Sequence, residues 1–192
     1  MTVLSEDQFD RAWTDDSDYA LLKYVPRKRG GSVATDLIIQ FKEDNPDAIS
    51  TVKSLYLDVI TADIDFWKNQ LNIKYVFCIP HSGTDVLNTS CEAVASALDN
   101  KFEWIHHIKH GIRRTTDVTK SAQTRNRPTA TDQQRSLAFN VSPFYRFYGG
   151  NILLIDDVVT LGATSTACKA ILNTEIPKAI VYGFFLGRTV QR

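Results

Sequence analysis

The stretch Ile152-Leu153-Leu154-Ile155-Asp156-Asp157-Val158-Val159-Thr160-Leu161-Gly162-Ala163-Thr164 carries more chemistry than any other in the chain. Its four consecutive apolar residues read as a parallel strand covered on both faces. Two adjacent acids at the end of such a strand are costly to bury. They are expected to emerge into the crevice where open α/β sheets bind ligands, facing a polyol or a cation. Thr160, Gly162 and Thr164 then supply a tight turn, amide N–H groups and two hydroxyls ahead of a helix whose orphan donors and positive dipole favour a phosphate. Carboxylates beside a phosphate cradle point to a ribose phosphate. The chain has no GxxxxGK[ST] and no GxGxxG string, which excludes a P-loop and a Rossmann fingerprint. Receiver domains also pair acids after a strand, but near the domain start, whereas only 35 residues follow Asp157 here. A helix cap accounts for one acid and not for two.

Other constellations are less specific. Ile79-Pro80-His81-Ser82-Gly83 follows a second apolar run and offers amides and the Ser82 hydroxyl to an anion. Residues 109–138 hold Lys109, Arg113, Arg114, Lys120, Arg125, Arg127 and Arg135 against only Asp117 and Asp132, in a chain of zero formal charge. With few apolar residues, this stretch is expected to be a long mobile loop that adds little core, and is either simply solvated or turned toward a ligand. His106, His107 and His110 form HHxxH outside any regular helical or finger context, so zinc is not expected from that string. Phe139, Phe144, Tyr145, Phe147 and Tyr148 read first as a packed turn and second as a surface for base stacking. Cys78, Cys91 and Cys168 are odd in number, have no CxxC spacing and lie in apolar segments. They are expected to be structural thiols in a reduced, cytoplasmic interior.

The elements that position these residues follow from composition and periodicity. At 192 residues, 43% hydrophobic and 23% charged, the chain is neither collagen-like nor disordered nor a disulfide scaffold, and one domain over 1–192 is expected. Zero net charge argues against bulk capture by nucleic acid or an anionic membrane, and no stretch approaches a membrane span or a secretory signal. Ser5 with Gln8, and Phe9 with Trp13, predict a short amphipathic helix over 4–16. A strand over 19–25 ends at Pro26 and the turn Arg27–Gly31, and a further apolar run covers 37–41. Ile49, Val52, Tyr56, Val59 and Ile60 predict a long helix within 44–71. From residue 74 the pattern becomes α/β: strands at 75–79, 102–108, 152–155 and 179–186, with helices from about Thr84 and from Ala163.

Asp156-Asp157-Val158-Val159-Thr160-Leu161-Gly162-Ala163-Thr164 resembles the PRPP-binding motif of type I phosphoribosyltransferases, a hydrophobic strand followed by DDxxTTGxT, with Leu161 where many members carry Thr. The resemblance implies an α/β fold with a parallel sheet flanked by helices, in which 74–192 form the core and 1–73 an N-terminal extension contributing to the hood. It implies that Asp156 and Asp157 hold the ribose hydroxyls and act in catalysis, and that Thr160 to Thr164 cradle the 5′-phosphate, within a PRPP-binding run of Asp156, Asp157, Val158, Val159, Thr160, Leu161, Gly162, Ala163 and Thr164. Pro80, His81, Ser82 and Gly83 fall at the family's pyrophosphate loop, without the basic side chain many members have there. Arg113, Arg114, Lys120 and Arg135 fall in its flexible loop. The implied activity is transfer of phosphoribose from Mg-PRPP to a nitrogenous base with release of pyrophosphate; Mg²⁺ is carried in with PRPP and a homodimer is the default assembly. Within the superfamily the chain is most similar to the ComF-like competence-associated branch, through Thr119-Lys120-Ser121-Ala122-Gln123-Thr124, Arg135, Phe139-Asn140-Val141 and Phe144, and through Tyr19 and Leu37 to Lys42. The zinc-ribbon cysteines frequent in that branch are missing. A non-catalytic alternative is a PRPP-sensing or DNA-metabolism accessory protein that binds single strands through Arg27, Lys28, Arg29 and the 109–138 region.

Overall fold

The computed structural model describes residues 4–15, 17–27, 30–84, 88–117, 128–160 and 162–189. Their centre is a six-stranded sheet. In chain order its strands are β1 (Phe9–Asp15), β2 (Asp18–Tyr24), β3 (Ile73–Cys78), β4 (His106–His107), β7 (Asn151–Val159) and β8 (Val181–Thr189), arranged β1-β2-β8-β7-β3-β4. Only β1 runs antiparallel to its neighbour; β2, β8, β7, β3 and β4 are parallel. The molecule is therefore α/β with a mostly parallel central sheet flanked by helices.

Alternating residues of the strands build two apolar layers. Val76, Leu153, Ile155, Phe184 and Leu186 face α1 (Val33–Lys42), α2 (Pro46–Ala62) and α3 (Thr89–Lys101). Tyr75, Phe77, Ile152, Leu154 and Phe185 face α5 (Ala163–Glu175) on the opposite side. α2 starts where Asn45 Oδ1 accepts from the amides of Asp47 and Ala48 at 3.0 and 3.1 Å with Pro46 at its first position, and it buries Ala48, Val52, Tyr56 and Ile60 at a spacing of four. The helix expected within 44–71 thus ends at Ala62, and a separate π turn, Phe66–Gln70, buries Trp67. The apolar run 37–41 lies within α1, which buries Ala34, Leu37, Ile38 and Phe41. Gly187 in β8 lets α1 lie close, since a Cβ there would stand 2.6 Å from Ile38 Cδ1.

Three expectations need correction. Residues 4–16 are not a helix: a single 3-10 turn, Glu6–Gln8, leads into β1. Phe9 and Trp13 are four apart, a spacing that satisfies the periods of both helix and strand; pairing of Trp13 with Tyr19, rings 5.4 Å apart, decides for the strand. The strand over 102–108 shrinks to His106–His107. The 109–138 region is not a coreless loop. It contains β5 (Ile112–Arg114) and β6 (Leu137–Phe139), paired as a small antiparallel sheet, and α4 (Ala130–Arg135), and it buries Ile112, Arg114, Gln133 and Leu137. Lys120, Arg125, Arg127 and the tract 119–124 lie outside the described residues, as do Lys28, Arg29 and Leu161. Cys78, Cys91 and Cys168 are free and buried. No helix among the described residues is long and apolar enough to cross a membrane.

Tyr56, 1% exposed, donates its hydroxyl to the Phe184 carbonyl at 3.1 Å, fastening α2 to β8. Tyr56→Phe removes that bond and keeps the ring, so chemical denaturation is expected to show a loss of about 1 kcal/mol with an unchanged slope.

Candidate functional site

β3 and β7 are adjacent and parallel, with Cys78 opposite Ile155. After β3 the chain enters α3 on one face of the sheet, and after β7 it enters α5 on the other. Strands whose connections diverge in this way leave a crevice beyond their carboxyl ends. The last backbone bond between this pair runs from the Ile79 N–H to the Ile155 carbonyl, at 2.9 Å. Beyond it β7 continues beside β8 alone, with Asp156 opposite Phe185 and Val159 opposite Arg188. The strand expected to end at Ile155 therefore runs through both acids to Val159, one edge open to the crevice.

Strand alternation turns the two acids toward opposite faces. Asp157, 8% exposed, follows the side of Leu153 and Ile155 and meets α1: Lys42 Nζ lies 3.1 Å from its Oδ1. Asp156 follows the side of Ile152 and Leu154, and its Oδ1 accepts from the Asp157 amide at 2.9 Å. Burial and the neighbouring Asp157 carboxylate push Asp156 well above the ordinary 3.8, while Lys42 and Arg114 oppose the rise. Desolvation lowers Lys42, but the two carboxylates more than compensate and it ends above 10.5.

Thr160 is exposed, and Gly162 enters the left-handed region at φ 73° as the N-cap of α5. A residue with a Cβ is strained in that conformation, which explains glycine there. The first turn of α5 has no side-chain cap. Its amides border a cavity of about 70 Å³ lined by Asp156, Val158, Val159, Thr160 and the segment from Gly162 to Ser165. Ser165, 5% exposed, lines the same cavity, and its buried hydroxyl has no hydrogen-bond partner among the described residues. Ala163 and Thr164 are half-buried at the rim. Uncapped amides, a positive helix end and an unsatisfied hydroxyl together suit an anion.

The half-buried loop Pro80, His81, Ser82 and Gly83 leaves the end of β3 on the other side of the crevice. Two groups of the 109–138 region hold it. Arg114 Nε donates to the His81 carbonyl at 3.0 Å, and Asp117 Oδ1 accepts from the Thr84 amide at 2.7 Å. Arg114 is 6% exposed and also donates to Ser136 Oγ, so it positions the loop rather than sweeping over it. Arg113 and Arg135 are exposed.

The histidines of HHxxH separate. His106 is exposed beside Tyr75, while His107 and His110 both turn toward Glu92. The aromatic group divides too. Phe139 and Phe147 pack on Phe77, whereas Phe144 and Tyr148 are 86% and 78% exposed. Sequence reasoning missed Lys42, Ser165 and Glu92. Ser165 alone had a local signal, as the next hydroxyl after Thr164 in the first turn of the helix.

No protein-family model and no curated protein matches the chain.

Because Asp156 sits above its unfolded value, it binds a proton more readily in the folded state. Its contribution therefore lowers stability as pH rises from 3.8 through its raised folded value. In a side-chain carboxyl NMR titration Asp156 is expected to titrate above 3.8, and higher still in Lys42→Met, which removes an opposing cation. A midpoint that does not move on this substitution contradicts the assigned electrostatics.

Proposed function

We propose that this chain is a phosphoribosyltransferase of the type I kind, binding Mg-PRPP and transferring its phosphoribosyl group to a nitrogenous base. The observation that carries the reading is the unpartnered Ser165 hydroxyl, buried in a cavity that the uncapped start of α5 shares with Asp156. That combination provides for a phosphate and a sugar hydroxyl side by side. The pyrophosphate belongs across the crevice, on the amides of His81, Ser82 and Gly83 and the Ser82 hydroxyl. Pro80 has no N–H to offer.

In the reaction the bond from the anomeric carbon to pyrophosphate breaks, the leaving oxygen keeps the electron pair, and a bond to the base nitrogen forms as that nitrogen loses its proton. The protein positions and stabilises charge, with no covalent intermediate. Asp156 and Asp157 hold the ribose hydroxyls. Lys42 holds Asp157 in place through their ion pair, and Arg114 fixes the His81 carbonyl so that the loop amides keep their direction. The carboxylate oxygens of Asp156 and Asp157 fit Mg²⁺; they are the residues that would hold it, and it would neutralise charge on the leaving pyrophosphate.

A second reading, a non-catalytic accessory protein that binds single strands, is favoured by one observation. Exposed Phe144, Tyr145 and Tyr148 share an open groove of about 510 Å³ with Lys74 and Arg146 at the β4 edge of the sheet. Stacking platforms interleaved with cations suit single-stranded nucleic acid.

Calorimetric titration with PRPP, with and without Mg²⁺, and separately with ribose 5-phosphate and pyrophosphate, tests the first reading. Mg²⁺-dependent PRPP binding is expected. Asp157→Asn and Ser165→Ala should each weaken PRPP and ribose 5-phosphate about tenfold or more, the scale of a lost charge-assisted hydrogen bond, while sparing pyrophosphate. Absence of binding to PRPP and to both fragments, together with salt-dependent affinity for oligonucleotides, would replace it by the second.

A further inference from the structure

We propose that Cys78, Glu92 and His107 form a binding site for one divalent transition-metal ion of the zinc class, on the α3 side of the sheet and apart from the phosphate cavity. Each residue comes from a different element: Cys78 ends β3, Glu92 lies in the first turn of α3 and His107 belongs to β4. The sulfur, one carboxylate oxygen and one imidazole nitrogen all lie within 4.8 Å of one another. Tetrahedral zinc, with bonds of about 2.0–2.3 Å, sets its ligands roughly 3.3–3.6 Å apart, so closure on an ion takes side-chain adjustments of about 1 Å.

The hydrogen bonding around the cluster is what an ion would complete. Glu92 Oε2 and His107 Nε2 are both buried and face each other at 2.9 Å, and among the described residues neither has a hydrogen-bond partner beyond this contact. An ion bonded to both would take the place of this single contact and draw in the thiol beside them. The remaining atoms of the same side chains are already engaged. Glu92 Oε1 accepts from the His110 amide at 3.2 Å and lies 3.4 Å from His110 Nδ1. His107 Nδ1 is 3.2 Å from Ser96 Oγ, which holds the ring with Nε2 toward the cluster, as second-shell partners of metal-bound histidines do.

The donor set selects the metal. Sulfur, nitrogen and oxygen together favour zinc-like ions over magnesium or calcium. A cavity of about 40 Å³ bordered by Cys78, Glu92, His110 and Arg114 gives an entry path and room for a water as fourth ligand. Three protein ligands and one open position match the open class of zinc site. A bound ion would tie β3, α3 and the two-residue β4 together at the root of the 80–83 loop.

The test uses the full chain, stripped with a chelator and titrated with Co²⁺ and then Zn²⁺. One Co²⁺ per chain is expected, with the visible bands of a four-coordinate ion and a sulfur-to-cobalt charge-transfer band, both lost on adding equimolar Zn²⁺ and unaffected by excess Mg²⁺. Cys78→Ser should abolish the charge-transfer band. Glu92→Gln and His107→Gln should weaken Co²⁺ binding more than tenfold, and Ser96→Ala about tenfold. Cys91→Ser and Cys168→Ser should leave the spectrum unchanged. Absence of the sulfur band from the wild-type chain, folded by circular dichroism, overturns the proposal, as does a band that survives Cys78→Ser. If a ligand variant does not fold, the wild-type spectrum and its loss on adding Zn²⁺ decide the question.

Discussion

Everything at the crevice depends on where β7 loses one of its two neighbours. Up to Ile155 the strand is hydrogen-bonded on both edges, and four apolar residues in a row are tolerated because both faces are covered as well. Past the bond from the Ile79 amide to the Ile155 carbonyl only β8 continues. An acid two residues earlier would be enclosed by sheet and helix; one placed beyond Val159 would have left the strand. At 156 and 157 the carboxylates are anchored in regular backbone while one edge of that backbone is open. This gives the site rigid support and access together, a combination that loops alone do not provide.

Two adjacent carboxylates in such a place need cations, and those come from opposite layers. Lys42 reaches Asp157 from the last turn of α1, a favourable position for a cation because it also meets the negative end of that helix. Arg114 approaches from β5 in the other layer, with its guanidinium spent largely on the His81 carbonyl and Ser136. Losing the β5–β6 unit would therefore disturb both the charge balance at Asp156 and the direction of the 80–83 loop. The small sheet is part of the site's scaffold.

The parts of the fold legible in the sequence are those where one period dominates. The apolar runs at 75–79 and 152–155 show no polar alternation, and the stripe Val52, Tyr56, Ile60 keeps helical spacing over about two turns. Where short elements or ambiguous spacings rule, local pattern fails. Three-residue strands such as β5 and β6 are too short to show a period, so the burial of Arg114 beside exposed Arg113 could not be read. Phe9 and Trp13 suited helix and strand equally, and an aromatic partner on β2 decided between them. The acids and the hydroxyl-rich turn were visible as a motif, because strand, turn and helix start are contiguous in the chain. Lys42 and Glu92 were not, because each meets its partners only through packing of distant segments.

The end of β3 shows how one sheet keeps two kinds of donor apart. Alternation sends Phe77 into the α5 layer and Cys78 into the α3 layer, while Ile79 spends its amide on β7. The thiol therefore meets the donors of α3 and β4, Glu92 and His107, and lies one strand away from the carboxylates that end β7. Oxygen donors gather at the open edge of β7, and sulfur and imidazole gather in the other strand's layer beneath the neighbouring loop. The two sets share the loop 80–83, which begins at the cysteine's strand and borders the crevice. Cys78 and the loop are joined through the backbone of Ile79 and Pro80, and the Arg114 bond to the His81 carbonyl holds that loop from the β5 side.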